Sequence, residues 1–185
     1  MSVEQHEWLA SVLQKAKGAD HVFLFLHHPR WLKRGYGDDW DRVHDLLKSA
    51  GNVTAVFAGH IHRMRYDGKR DGIEYFTLAT VGGHQDAFAA KAGFVHQYHV
   101  VVVRKDRPLA VAAFPVGAAM DPRAITGDVS KDIEALHRDL VPRFDKRPAF
   151  AADGSLDGWT ELEVSNPAKS PIEATLALES DDSRW

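Results

Sequence analysis

The sequence predicts a layered α/β domain followed by a short C-terminal β segment. Three observations carry this. Helical apolar spacing precedes each of two short, continuously apolar runs, VFLFL at Val22–Leu26 and VTAVFA at Val53–Ala58. The resulting order, helix–strand–helix–strand, makes the two strands parallel neighbours in one sheet. Further apolar runs then follow one another with only turn residues between them, which predicts antiparallel strands.

The elements follow in order. Trp8, Leu9, Val12, Leu13 and Ala16 recur at helical spacing, and Gly18 is the expected stop. The same stretch is acidic early and lacks a long apolar core, so it does not read as a signal peptide. VFLFL is apolar on both alternating faces, as in a strand buried on both sides, and Pro29 in His27-His28-Pro29 blocks its continuation. A loop over 30–38 leads to a second helix. Asp38 or Asp39 caps it, Trp40, Val43, Leu47 and Ala50 share its apolar face, and Gly51-Asn52 stops it. VTAVFA is the second strand and ends in Gly59-His60-Ile61-His62.

Strands are then expected over 64–66, 73–80, 94–103 and 109–116, with Asp67-Gly68 and Asp71-Gly72 as turn signals. A third helix is expected over 128–140, with Val129, Ile133, Leu136 and Leu140 on one side. Residues 145–158, with Pro148, Gly154 and Gly158, read as a linker between a main domain over 1–144 and a tail over 159–185. The tail shows two short strands, 160–164 and 172–178, around Asn166-Pro167. Two strands alone make no stable domain, so the tail either docks on the main body or begins a β-sandwich.

Composition narrows the function classes. Of 185 residues, 44% are hydrophobic and 26% charged, which excludes disordered and collagen-like chains. The net charge is −3, with both signs interspersed, so nothing points to nucleic acid or to a membrane surface. The apolar runs fall well short of the ~20 residues of a membrane-spanning helix. Cysteine is absent, which removes disulfide frameworks and Cys-type zinc sites. Eleven histidines remain as the conspicuous chemistry.

Two histidine clusters sit at the carboxyl ends of the two strands, where open α/β sheets bind their ligands. Neighbouring strand ends lie roughly 5 Å apart, so the His27 and His60 imidazoles are expected within about 8 Å. In extended backbone His60 and His62 lean the same way, Ile61 points into the core, and Gly59 lets the chain bend. Neutral imidazoles suit zinc-, iron- or manganese-type ions when carboxylates complete the shell. The other histidines read differently. His84 is a surface-loop residue, His96 and His99 face opposite sides of a strand, and His6, His44 and His137 lie on solvated helix faces. Arg30, Arg63 and Arg65 read as solvated rather than as anion ligands.

GHIH after an apolar strand, FLHHPRW earlier in the chain, a QHEWL helix before both and YFTLATVGG after them form an ordered set. Over about residues 4–83 this set resembles the C-terminal half of the calcineurin-like metallophosphoesterases. The resemblance implies part of a four-layer α/β/β/α sandwich that holds two divalent metal ions (Mn, Zn or Fe) and hydrolyses phosphate mono- or diesters. It implies that His27 and His60 bind the second ion and His62 the first, with His28 beside a ligand; no catalytic residue carries over.

The family's Asp-x-His, Gly-Asp-x-x-Asp and Gly-Asn-His-Asp/Glu motifs do not precede His27, and Gly127-Asp128 lies out of order. The resemblance therefore implies a C-terminal half that lacks its N-terminal half and is weak or inactive alone. Two cations ~3.5–4 Å apart need carboxylates for charge neutralisation, and three imidazoles supply none. Asp38, Asp39, Asp67 and Asp86 are the nearby carboxylates, and no spacing selects among them. The alternative is a non-catalytic metal-binding or assembly module. Such a module pairs through an exposed sheet edge with another chain, either a second copy or the missing half.

Overall fold

Ser2 opens the first helix with a reciprocal cap. Its hydroxyl accepts from the Gln5 N–H at 3.2 Å, while the Gln5 side chain accepts from the Ser2 N–H at 3.0 Å. The computed structural model describes residues 1–33, 35–85, 90–146, 151–155 and 159–177. They fall into two compact units, Met1–Ser130 and Lys131–Trp185.

Helix α1 spans Val3–Lys15 and buries Leu9 and Leu13, whereas Trp8 of the expected apolar face stays 65% exposed. It ends at Ala16, whose N–H reaches the Val12 carbonyl, so Gly18 lies beyond the cap. Strand β1 (Val22–Leu26) pairs in parallel with β2 (Val53–Ala58), as their sequence order requires. Helix α2 (Trp40–Ala50) lies between them in sequence and buries Trp40, Val43, His44 and Leu47. Asp39 precedes it without a side-chain cap, because its carboxylate is taken by Arg30 and the amino terminus of Met1. Gly51 closes it at φ 79, a left-handed conformation that glycine adopts without a Cβ penalty.

The expected run of antiparallel strands is only partly realised. Strand β3 (Arg65–Arg70) and strand β4 (Ile73–Thr77) form an antiparallel hairpin, turned by Asp71 at φ 48 and Gly72 at φ 86. Asp67-Gly68 makes an irregularity inside β3 instead of a turn. Strand β4 also pairs in parallel with β2, so the sheet order is β1-β2-β4-β3 and the sheet is mixed. Strands β5 (Gln97–Val102) and β6 (Ala110–Pro115) form a separate antiparallel pair.

Strand β2 divides the core, and its alternation holds only from Ala55 onward, after an irregularity that pairs Val22 with Val53 but Phe23 with Ala55. Val53 and Val56 join Leu9, Leu13, Trp40, Val43 and Leu47 on the helix side. Ala55 and Phe57 join Phe76, Leu109 and Val111 on the side of the β5–β6 hairpin. This is an α/β arrangement, with helices on one face of a mixed sheet and a β-hairpin on the other.

Helix α3 spans Gly127–Asp139 and buries Ser130, while Val129 on its expected apolar side is 37% exposed. In the second unit, β7 (Arg143–Phe144) pairs antiparallel with β8 (Leu162–Glu163), a shorter strand than expected. Residues 172–177 form no strand, and Leu178 lies outside the described residues. The Asp132 carboxylate instead holds this part of the tail, accepting from the N–H groups of Lys169 and Ser170 and from the Ser170 hydroxyl. Of the expected linker residues, Pro148 and Gly158 lie outside the described residues.

Candidate metal centre

Parallel pairing brings the two histidine-bearing strand ends level. Leu26 stands opposite Ala58, and the next residues are joined by the Gly59 N–H donating to the His27 carbonyl at 3.0 Å. His60 follows at φ 69 and turns its ring back toward β1. His60 Nδ1 lies 3.1 Å from His27 Nε2, and the ring centroids are 5.0 Å apart, inside the expected distance.

His28 joins them. Its ring centroid is 4.8 Å from that of His27 and 4.1 Å from that of His60. One nitrogen from each of the three imidazoles fits within a 4.8 Å set, and all three residues are exposed. The family resemblance places His28 beside a ligand and not as one, and adjacent residues of an extended strand do face opposite ways. The strand ends at Leu26, and the chain bends before Pro29, so that alternation no longer applies at 27–28. Tyr36 was also missed. Its ring lies 5.4 Å from His28 and 5.5 Å from His60, carried by a loop in which Gly35 and Gly37 take φ 75 and φ 87.

His62 does not join the three. Both His60 and His62 have positive φ, 69 and 52, so the segment is not extended and the two rings do not lean together. The turn is made by these histidines and not by Gly59. His62 Nδ1 donates to the His84 carbonyl at 2.6 Å, and its ring packs on Gly83, where an added Cβ would lie 3.1 Å from His62 Cε1. Ile61, expected in the core, is half-buried. Non-glycine residues held at positive φ store strain of about 1–3 kcal/mol each, and such positions concentrate at functional sites.

Desolvation, followed by the neighbouring His28, His27 and His62, holds the His60 imidazole below the ordinary histidine range. The shift favours the neutral imidazole, the form that ligates metals. The spacing fits as well. Two nitrogens, each 2.0–2.1 Å from a tetrahedral ion, stand about 3.3 Å apart, close to the 3.1 Å between His27 and His60. Three imidazole donors suit zinc or iron better than manganese, which prefers oxygen ligands.

The carboxylates are engaged elsewhere. Asp39 is held by the Met1 amino group and Arg30, and these partners keep its carboxyl below the usual carboxylate range. Asp67 pairs with Arg65 and accepts from Trp31 Nε1 at 2.8 Å. Asp38 is exposed and outside the three-histidine set, and Asp86 lies outside the described residues. Among the described residues, no carboxylate belongs to the set.

No protein-family model matches the chain. No curated protein matches it.

Several charged side chains expected on the solvated surface are structural instead. His44 is fully buried on α2, with Nδ1 2.6 Å from the Tyr75 hydroxyl and Nε2 2.9 Å from the Asp71 carboxylate. Arg63 is 6% exposed, with its guanidinium over the Phe94 ring. Arg65 is largely buried against Asp67, and Arg30 is half-buried against Asp39. These arginines are committed to local ion pairs and stacking. His84 and His137 are exposed, as the sequence suggests.

Proposed function

We propose that His27, His28 and His60 hold one divalent metal ion, zinc or iron before manganese. We further propose that this centre belongs to a metallophosphoesterase-like hydrolase of phosphate mono- or diesters. The observation that carries the reading is the convergence of three imidazole donors within 4.8 Å at the ends of two parallel strands. The ordered motifs FLHHPRW and GHIH, which supply those strand ends, support it.

His27, His28 and His60 would hold the ion, which would supply Lewis acidity toward a phosphoryl oxygen and toward water. The chain's own residues bind and orient. The hydrogen bond between Gly59 and the His27 carbonyl fixes the height of the two ligand-bearing turns. Tyr36 borders the imidazoles and offers a phenolic O–H as a donor toward a phosphate oxygen. His62, fixed by the His84 carbonyl, is reserved in this reading for a second ion, whose carboxylates come from a complementary half. That half would also complete a four-layer sandwich.

The test is turnover of bis-p-nitrophenyl phosphate by the metal-loaded chain, alone and with a complementary metallophosphoesterase half. Metal-stimulated hydrolysis that His27→Ala and His60→Ala abolish is expected. Turnover indifferent to both substitutions sinks the proposal. A second reading is a non-catalytic metal-binding module, and the absence of a carboxylate from the described set favours it. It predicts stoichiometric metal with no turnover in either arrangement.

A further inference from the structure

Trp31, Trp40 and Tyr75 pack as a triangle of rings on the helix side of the sheet, with centroids 5.0, 5.6 and 6.1 Å apart. Rings in contact are ordinary core packing. Two of these three carry more. The Tyr75 hydroxyl lies 2.6 Å from His44 Nδ1, and His44 Nε2 lies 2.9 Å from the Asp71 carboxylate. The Trp31 indole donates its Nε1–H to the Asp67 carboxylate at 2.8 Å. Two neighbouring oxidisable rings thus each rest their one polar hydrogen on a base. Burial explains why the phenol has a partner, but a backbone carbonyl would satisfy it equally well. It does not explain an imidazole backed by a carboxylate.

The direction of the bonds follows from Asp71. The bond from His44 holds its carboxyl below the usual carboxylate range, so the carboxylate only accepts. Nε2 of His44 then carries the ring proton, and Nδ1 of the neutral imidazole accepts from the Tyr75 O–H. Burial holds the phenol above its ordinary range, so Tyr75 keeps its proton in the resting protein.

This arrangement suits one-electron chemistry. A phenol that loses an electron becomes a far stronger acid, and in an apolar core the electron leaves readily only when the proton leaves with it. Tyr75 is 3% exposed, so water does not take that proton. His44 Nδ1 takes it along the existing hydrogen bond, and the imidazolium gains a charge-assisted bond to Asp71. Trp31 is half-buried and is the accessible end of the pair, and its bond to the Asp67 carboxylate eases the loss of an electron from the indole.

We propose that Trp31 and Tyr75 form a one-electron relay, in which an oxidising equivalent enters at Trp31 and comes to rest on Tyr75 as a neutral radical. The oxidant is a one-electron acceptor of the oxygen-radical class. Trp31 gives it an electron and is refilled from Tyr75, whose O–H bond breaks as the proton passes to His44 Nδ1. The sum is a tyrosyl radical, an imidazolium and the reduced oxidant; return of one electron and that proton restores the pair. Trp31 follows His28 by three residues, so the relay draws oxidising equivalents away from the turn that bears the histidines. This does not rest on the metal reading.

The test is oxidation of the purified chain by photogenerated ruthenium(III) tris-bipyridine, with radicals read by freeze-quench electron paramagnetic resonance. Wild type should give a neutral tyrosyl signal that falls several-fold in Tyr75→Phe, a change that removes only the hydroxyl. The yield should also fall in Trp31→Phe. His44→Gln keeps a hydrogen-bond acceptor for the phenol but no proton acceptor, and it should lower the yield with Tyr75 still in place. Wild type in heavy water checks the same step without a substitution, and radical formation should slow there. A tyrosyl signal unchanged in Tyr75→Phe, a yield indifferent to Trp31→Phe or to a folded His44→Gln, or equal rates in light and heavy water would overturn the proposal.

Discussion

His28 separates a three-donor site from a two-donor one. His27 and His60 stand 3.1 Å apart without it, and two imidazoles alone hold an ion weakly. Elemental analysis after dialysis against zinc should therefore find about one ion per chain, with large losses in both His60→Ala and His28→Ala. His62→Ala should retain the ion, since His62 is bound to the His84 carbonyl. Unchanged metal content in His28→Ala would return the site to the two ligands the motifs name. A second residue-scale prediction concerns His99. Burial holds its imidazole down to about 4, and its Nε2 is buried with no hydrogen-bond partner among the described residues. The unfolded chain takes up that proton below an ordinary value of 6.5, while the native state refuses it down to about 4. His99 therefore adds no acid penalty above the unfolded value. Stability is lost as pH falls through the window between the two. The loss between about pH 7.5 and about pH 4.5 should be roughly 2–3 kcal/mol by urea unfolding. His99→Phe should flatten this part of the profile; an unchanged slope would assign the acid sensitivity to other groups.

At the scale of elements, Gly93 governs how closely the chain passes the start of β3. It sits at φ 90, its carbonyl accepts from the Met64 N–H at 2.8 Å, and an added Cβ would lie 2.0 Å from the Met64 carbonyl oxygen. The left-handed conformation alone costs a non-glycine residue about 1–2 kcal/mol, and the overlap with fixed backbone adds to it. Gly93→Ala should therefore lower the urea midpoint by more than Gly154→Ala, where φ is 82 but nothing lies within 4 Å. Equal losses would mean that the backbone around Met64 yields. The His44–Tyr75–Asp71 chain works at this scale too, tying α2 to β4 and to the β3–β4 turn. Its sequence signal was ambiguous. The apolar face of α2 passes through Trp40, Val43 and Leu47, and His44 adjoins it by helical spacing. Only a tyrosine and an aspartate from another element make its burial tolerable.

At the scale of the molecule, the proposed hydrolase activity turns on charge. Three neutral imidazoles balance none of a divalent ion's charge, and no carboxylate is in the set among the described residues. Removing one electrostatic donor from an active site typically costs about 10²–10³ in rate, and a missing carboxylate shell costs more. The isolated chain should hydrolyse bis-p-nitrophenyl phosphate marginally, and the complemented chain with metal-stimulated turnover. Robust turnover by the isolated chain, lost in His27→Ala and His60→Ala, would mean that other carboxylates complete the centre.

The helix–strand order, the parallel pairing of β1 with β2 and the placing of His27 beside His60 were legible in the sequence. They follow from local periodicity, the handedness of crossovers and the position of histidines directly after buried strands. Tertiary structure alone decided the rest. The place of β4 beside β2 depends on long-range pairing, which no local pattern encodes. The entry of His28 and the exit of His62 depend on where strands stop and backbone turns, because side-chain alternation holds only while the chain stays extended. Burial of His44 depends on Tyr75 and Asp71 and that of Arg63 on Phe94, all distant in sequence, while Arg65 is held by an ion pair with Asp67 that strand spacing alone does not reveal. The apolar pattern of VFLFL announced a strand wanting cover on both faces, yet its place at one end of the order β1-β2-β4-β3 among the described strands emerged only once they were ordered in space.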